Sequence, residues 1–144
     1  MFKSIVVGTD GSETADVALG RAVELAQLME ARLHVVSAYE PAAARVAGAQ
    51  AVPEAAQWTI GPDFKVDSVL ERAEVRGRSA GVEVVSHAPK GDAGDALIAV
   101  AKQYDADLIV LGSRGMKGAR RILGSVPNKV SHNAPCDVLI VQTT

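Results

Sequence analysis

Ser4-Ile5-Val6-Val7-Gly8-Thr9-Asp10-Gly11-Ser12-Glu13 sets an unbroken β-branched run against a turn and a helix start. The apolar run at residues 5–7 is continuous rather than alternating, as expected of a strand covered on both faces. Gly8 and Asp10 break it. Ser12, or Asp10 with Glu13 three residues on, would cap the helix that follows. That helix carries Ala15, Ala18, Ala22, Leu25, Ala26 and Met29 on one stripe. The same alternation recurs down the chain. Further apolar runs fall at residues 33–39, 82–86, 108–111 and 138–141. Between them, helical spacing joins Val66, Val69, Leu70 and Ala73, then Leu97, Val100, Ala101 and Tyr104. A short fourth helix is predicted from Ser125, where Ser-Val-Pro supplies a cap and a proline tolerated in the first turn. Strands alternating with helices predict an α/β fold, a parallel sheet with helices on both faces. Right-handed crossovers then leave few topologies.

The 144 residues fit a single domain over 1–144. With 48% hydrophobic and 22% charged residues the chain has a globular composition. Only 3% are aromatic, which argues against exposed ring platforms for carbohydrate or stacked bases. A net charge of −2 argues against general nucleic-acid affinity unless the cations cluster. One cysteine, Cys136, forms no intramolecular disulfide and no four-thiolate zinc site. It precedes the last strand and reads as a buried, inert thiol. No apolar run is long enough for a membrane helix or a signal peptide. A cytoplasmic protein without a membrane partner is the expectation.

Residues 40–63 interrupt the alternation. They hold Pro41, Gly48, Pro53, Gly61 and Pro62, and Trp58, the one tryptophan. Following the second strand, this connection would leave from the carboxyl edge of the sheet, where ligands bind in open α/β folds. It reads as an alanine-rich insertion or as a segment covering a ligand.

The chemistry concentrates after the fourth strand, in Gly112-Ser113-Arg114-Gly115-Met116-Lys117-Gly118-Ala119-Arg120-Arg121-Ile122-Leu123-Gly124-Ser125. Arg114, Lys117, Arg120, Arg121 and Lys129 place five of the fifteen basic residues within residues 114–129. No acidic residue lies between Asp107 and Asp137. Glycines let backbone N–H groups approach an anion and permit positive φ in turns that cradle phosphate oxygens. Gly124-Ser125-Val126 opens a helix, whose start offers unpaired N–H groups and partial positive charge. Two such turns at one sheet edge would grip a polyphosphate from two sides. The alternative is a pair of plain turns beside a solvated basic face. The segment is not a Walker loop, and G-x-G-x-x-G is absent after the first strand. Asp10 would either cap the first helix or accept hydrogen bonds from a ligand. In a sheet ordered 3-2-1-4-5, the ends of strands one and four would flank the topological switch point.

Gly8-Thr9-Asp10-Gly11-Ser12, Leu33-His34-Val35-Val36, the G-x-x-G turn before Gly-Ser, and Ala134-Pro135-Cys136-Asp137-Val138-Leu139-Ile140-Val141 resemble the universal stress protein family across essentially the whole chain. The two-part glycine motif resembles that family's nucleotide-binding, ATP-binding branch. The resemblance implies a Rossmann-like, adenine nucleotide alpha hydrolase-like sheet of five strands in the order 3-2-1-4-5. It further implies ATP in the crevice, with any Mg2+ carried by the nucleotide, and a homodimer through the last strand. On this resemblance Asp10 would meet the nucleoside, with Gly8 and Thr9 as the wall beside it. Ala38 would offer backbone groups to the adenine edge. Gly112, Ser113, Arg114 and Gly115 would wrap the phosphates, and Gly124, Ser125 and Val126 would close from the other side. Residues 116–123 are one short of the family spacing, which bears on which phosphates are held.

The other candidates carry less chemistry. His34 reads as a structural residue within its strand, and His87 and His132 have no ligand-like spacing to a third group. The third strand ends Ser86-His87-Ala88-Pro89, without the aspartate of a phosphorylated receiver domain. Gly91-Asp92-Ala93-Gly94-Asp95 reads as a helix entry capped by Asp92 and as a weak second phosphate candidate. No nucleophile elbow is present, and no residue supplies a clear general base for water. The expectation is therefore a stress-response regulator that binds adenine nucleotide, ATP first, without a catalytic residue. The alternatives are a cyclic AMP binder on the same scaffold, a dimer module with a vestigial loop, and a slow ATPase.

Overall fold

The computed structural model describes residues 1–39, 62–113 and 124–143, with the backbone alone for residues 62–64. Its elements run β1 (Ser4–Gly8), α1 (Glu13–Met29), β2 (Arg32–Val36), α2 (Pro62–Ser79), β3 (Val84–His87), α3 (Ala93–Gln103), β4 (Leu108–Gly112), α4 (Ser125–Asn133) and β5 (Asp137–Val141). The five strands form one sheet in the order β3-β2-β1-β4-β5, parallel in every pairing. This is the Rossmann-like order that the family resemblance implied.

Burial on both faces explains the continuous apolar runs. Ile5, Val6 and Val7 are all fully buried, yet they face opposite sides because side chains alternate along a strand. On one side Ile5, Val7, Val35 and Val110 meet Ala18, Leu19 and Ala22 of α1 and Val66, Leu70 and Ala73 of α2. On the other, Val6, Ile109 and Leu111 meet Ala96, Leu97 and Val100 of α3 and Val130 of α4. Each branched side chain so buried contributes about 1.5–3 kcal/mol by removal from water. The alanines of α1 let its backbone lie close to the sheet.

The boundaries differ from the sequence reading at several points. Strand two ends at Val36 rather than residue 39; Tyr39 keeps only an isolated bridge to Lys90. Strand three spans Val84–His87 rather than 82–86, and Val82 instead donates its N–H to Gly77 O in the turn at the end of α2. The second helix begins at Pro62, so the last two residues of the 40–63 connection are helical. Proline suits a first helical turn, because its missing N–H has no partner there anyway. The rest of that connection, including Trp58, lies outside the described residues. Among the described residues, no helix is long and apolar enough to cross a membrane.

Candidate functional site

β1 and β4 are neighbours in the sheet, but the chain leaves them towards opposite faces. Their carboxyl ends therefore part the layers of helices, and a cleft opens there. Counting its open mouth it measures about 770 Å³. Gly8, Thr9 and Asp10 come from the end of β1, Ala38 from beyond β2, Gly112 from β4, and Gly124, Ser125 and Val126 from the start of α4. Eight of the residues singled out by sequence thus line one space.

The loop after β1 is held through its backbone N–H groups. Thr9 N donates to Val36 O at 3.0 Å, carrying the β1–β2 ladder past the strand end. Gly11 N donates to Thr9 Oγ1 at 3.1 Å, and Ser12 N to Asp10 Oδ1 at 2.9 Å. Ser12 is the cap of α1, its hydroxyl accepting from Ala15 N at 3.2 Å. The capping alternative thus falls to Ser12, and Asp10 stands at the rim with its carboxylate braced by one N–H. Among the described residues Asp10 is the only ionisable side chain lining the cleft. Gly8 is where a side chain would intrude: a Cβ there would lie 3.1 Å from Leu97 Cδ1.

The opposite wall is the start of α4. Its cap residue is Gly124 rather than Ser125, no side chain among the described residues caps it, and its first turn holds no acidic residue. Ser125 and Val126 therefore present N–H groups without an intrahelical partner, at the positive end of the helix. Gly124 has φ −61°, an ordinary conformation, so positive-φ strain does not explain the glycine at this position. Its N–H donates to Ser113 O at 3.1 Å, and Ser113 N donates to Val141 O at 2.9 Å. Ser113 does not line the cleft; it ties β4 to both α4 and β5. Arg114 and Gly115 lie outside the described residues, as do Lys117, Arg120 and Arg121.

Lys129 departs from the expected basic cluster. Its Nζ lies 3.0 Å from Asp92 Oδ2 and 3.0 Å from Asp95 Oδ1, so acids from α3 neutralise it. A segment without acids in sequence can still meet them across the fold. Asp92 does cap α3, accepting from Asp95 N at 3.0 Å. Sequence reasoning missed Val36, Leu97, Leu111, Ala93 and Pro127, which make the cleft largely apolar. Their signal, apolar residues at or near element ends, is shared with every core position. Among the described residues, no three His, Cys, Asp or Glu side chains come together as a metal site would require. The arrangement offers an apolar slot for a flat ring, a carboxylate at its rim and a helix start for an anion.

A model of the universal stress protein family matches residues 1–142. Universal stress protein Rv1636 of Mycobacterium tuberculosis is 38% identical over 145 residues, covering 99% of this chain and 98% of that protein. Universal stress protein YxiE of Bacillus subtilis is 33% identical over 148 residues, covering 99% and 100%. Among solved structures, a universal stress protein in complex with cAMP superposes with a TM-score of 0.76 at 32% identity, covering 99% of this chain and 98% of that one.

Proposed function

This chain belongs to the universal stress protein family, and from that premise we propose that it is a regulatory protein that binds an adenine nucleotide in the cleft above β1 and β4. The uncapped, acid-free start of α4 facing that cleft carries the reading. The adenine ring packs among Val36, Ala38, Leu97 and Val126, and backbone groups near Ala38 meet its polar edge. Asp10 accepts hydrogen bonds from the ribose. The phosphates meet the N–H groups of Ser125 and Val126 and the Ser125 hydroxyl, with Gly112 across the cleft from them and Arg114 and Gly115 as the further phosphate-binding residues expected from the sequence. ATP is the ligand this arrangement is assigned, with Mg2+ entering on its phosphates. A rim carboxylate already braced by Ser12 N suits a hydrogen-bond acceptor better than a base for water, so the bound state itself is the signal.

Cyclic AMP is the second reading, because the relative solved with that ligand aligns over nearly the whole chain. A single phosphate would need only the start of α4. Calorimetric titration with ATP, AMP and cyclic AMP tests both readings. Ser125→Ala removes one hydroxyl from a charged oxygen and should weaken binding by about 1–3 kcal/mol, roughly five- to 150-fold. Gly8→Val fills the slot against Leu97 and should abolish binding while the helical circular-dichroism signal persists. Unchanged binding in a folded Gly8→Val variant would place the ligand elsewhere. Tighter binding of cyclic AMP than of ATP would move the ligand assignment to the second reading.

A further inference from the structure

Beyond Asp10 from the cleft lies a second hollow, about 660 Å³ with its open mouth, bounded by Asp10, Gly11, Ser12, Lys65, Ser68 and Arg72. Asp10 and Ser12 line both spaces, so the two adjoin at that rim. Lys65, Ser68 and Arg72 fall three, four and seven positions apart, one stripe of α2 aimed at the loop after β1. Gly11 makes this approach possible. Its φ is +82°, and a Cβ there would lie 2.7 Å from Val69 Cγ2 and 3.1 Å from Arg72 Nη2.

The cations of α2 divide into two sets. Arg76 donates to Asp16 O at 3.1 Å, and Arg78 pairs with Glu74 at 3.8 Å. Lys65 and Arg72, by contrast, have no ion-pair or hydrogen-bond partner among the described residues. They leave the hollow one positive charge in excess of Asp10. An arginine fork and a lysine beside a serine hydroxyl match the oxygens of a phosphate monoester.

We propose that this hollow receives a second phosphate carried on the ribose, so that the preferred ligand is adenosine phosphorylated at the 2′ or 3′ oxygen as well as at 5′. The inference rests on the adenine-nucleotide reading above. With the 5′ phosphate at the start of α4 and Asp10 at the ribose, a group passing Asp10 leaves from a secondary ribose hydroxyl. In dinucleotide-binding folds, too, an arginine near the ribose accommodates a phosphate there. Asp10 holds the remaining free hydroxyl, and Arg72 and Lys65 hold the phosphate beyond it.

The test is titration of the full chain with AMP, adenosine 2′,5′-bisphosphate and adenosine 3′,5′-bisphosphate. One bisphosphate should bind about tenfold or more tightly than AMP at low salt, as expected of charge-assisted bonds near solvent. The ratio should shrink as salt rises. Arg72→Ala should cut the ratio and Lys65→Ala with Arg72→Ala should remove it, while AMP affinity stays unchanged. Both side chains are exposed, so AMP binding by the variants doubles as a check on folding. Bisphosphates no tighter than AMP, or a preference that survives the double substitution, would overturn the subsite and leave the nucleotide reading standing. Failure of all three ligands, and of ATP and cyclic AMP, to bind the wild type would overturn both.

Discussion

His34 is a buried ionisable side chain with 1% exposure, and its Nδ1 lies 3.0 Å from His87 Nε2. The two rings stack at 5.2 Å between centroids, with the Tyr104 ring 4.6 Å from His34 and 5.0 Å from His87. Burial, then the nearness of His87 and Arg32, lowers His34 to a pKa of about 4, with Glu83 pulling weakly the other way. Burial lowers His87 as well. One ring must donate and the other accept, so the bond fails once both are protonated, and burial disfavours even the first charge. Both native values lie below the unfolded 6.5, so the unfolded chain binds more protons as the pH falls. The stabilisation is complete above pH 6.5 and is lost by about pH 4, on the order of 3 kcal/mol for His34. Urea denaturation should show the wild type less stable at pH 5 than at pH 7, and His34→Phe should flatten that difference. Equal wild-type stability at both values would contradict the neutral pair. No sequence signal joins these histidines, because they are 53 residues apart. Only the β2–β3 register, Val36 opposite His87, brings them together. Gly8, Thr9 and Asp10 were legible for the opposite reason: their turn chemistry is local to a strand end.

At the scale of elements, the cleft depends on how α4 sits against α3. Lys129 spans them, bonded to both Asp92 and Asp95, and its stem passes where Gly94 has no side chain; a Cβ there would lie 2.8 Å from Lys129 Cδ. The Asp95 N–H and then Lys129 hold the Asp92 carboxyl below its usual range, while burial opposes them. Asp92→Ala removes the cap of α3 as well as one ion pair and should cost about 1 kcal/mol or more. Lys129→Ala removes only exposed pairs and should cost less. Both should weaken adenine-nucleotide binding, since the start of α4 loses its tether to α3. Denaturant melts and parallel titrations check this order; a larger stability loss for Lys129→Ala would reverse the assignment. The strands and helices themselves were readable because two-sided burial selects continuous β-branched runs and one-sided burial selects helical stripes. The cap of α4 was not. Gly124 and Ser125 both suit that position, and the bond from Gly124 N to Ser113 O, which helps fix its place, joins separate segments.

At the scale of the whole molecule, β5 is an edge strand among the described residues, where one side of its backbone finds no neighbour in the sheet. Val138, Leu139 and Ile140 are half-buried apolar residues on it. Such an edge invites a second strand unless charge or proline blocks it, and β5 carries one charge, Asp137 at its start, with neither in residues 138–141. Pairing of two chains through β5 is therefore the assembly proposed for this protein. That edge is also wired to the cleft. Ser113 N bonds Val141 O, Thr143 N donates to Ser113 Oγ at 3.4 Å, and Ser113 O receives the N–H of Gly124. A ligand that orders the start of α4 should thus order the end of β5 through one residue. By linkage, nucleotide should tighten the dimer by the same factor by which dimerisation tightens nucleotide, and a coupling of 1–3 kcal/mol corresponds to about five- to 150-fold. Sedimentation should find a species of about twice the 15.0 kDa chain, with a dissociation constant that falls when AMP or ATP saturates the protein. Ser113→Ala, which removes the hydroxyl bridge to Thr143 but keeps both backbone bonds, should reduce that response in part, and by more than it reduces nucleotide affinity. A monomer at tens of micromolar would dismiss the β5 interface. A dimer indifferent to nucleotide, with binding confirmed by calorimetry, would keep the interface and dismiss the coupling through Ser113.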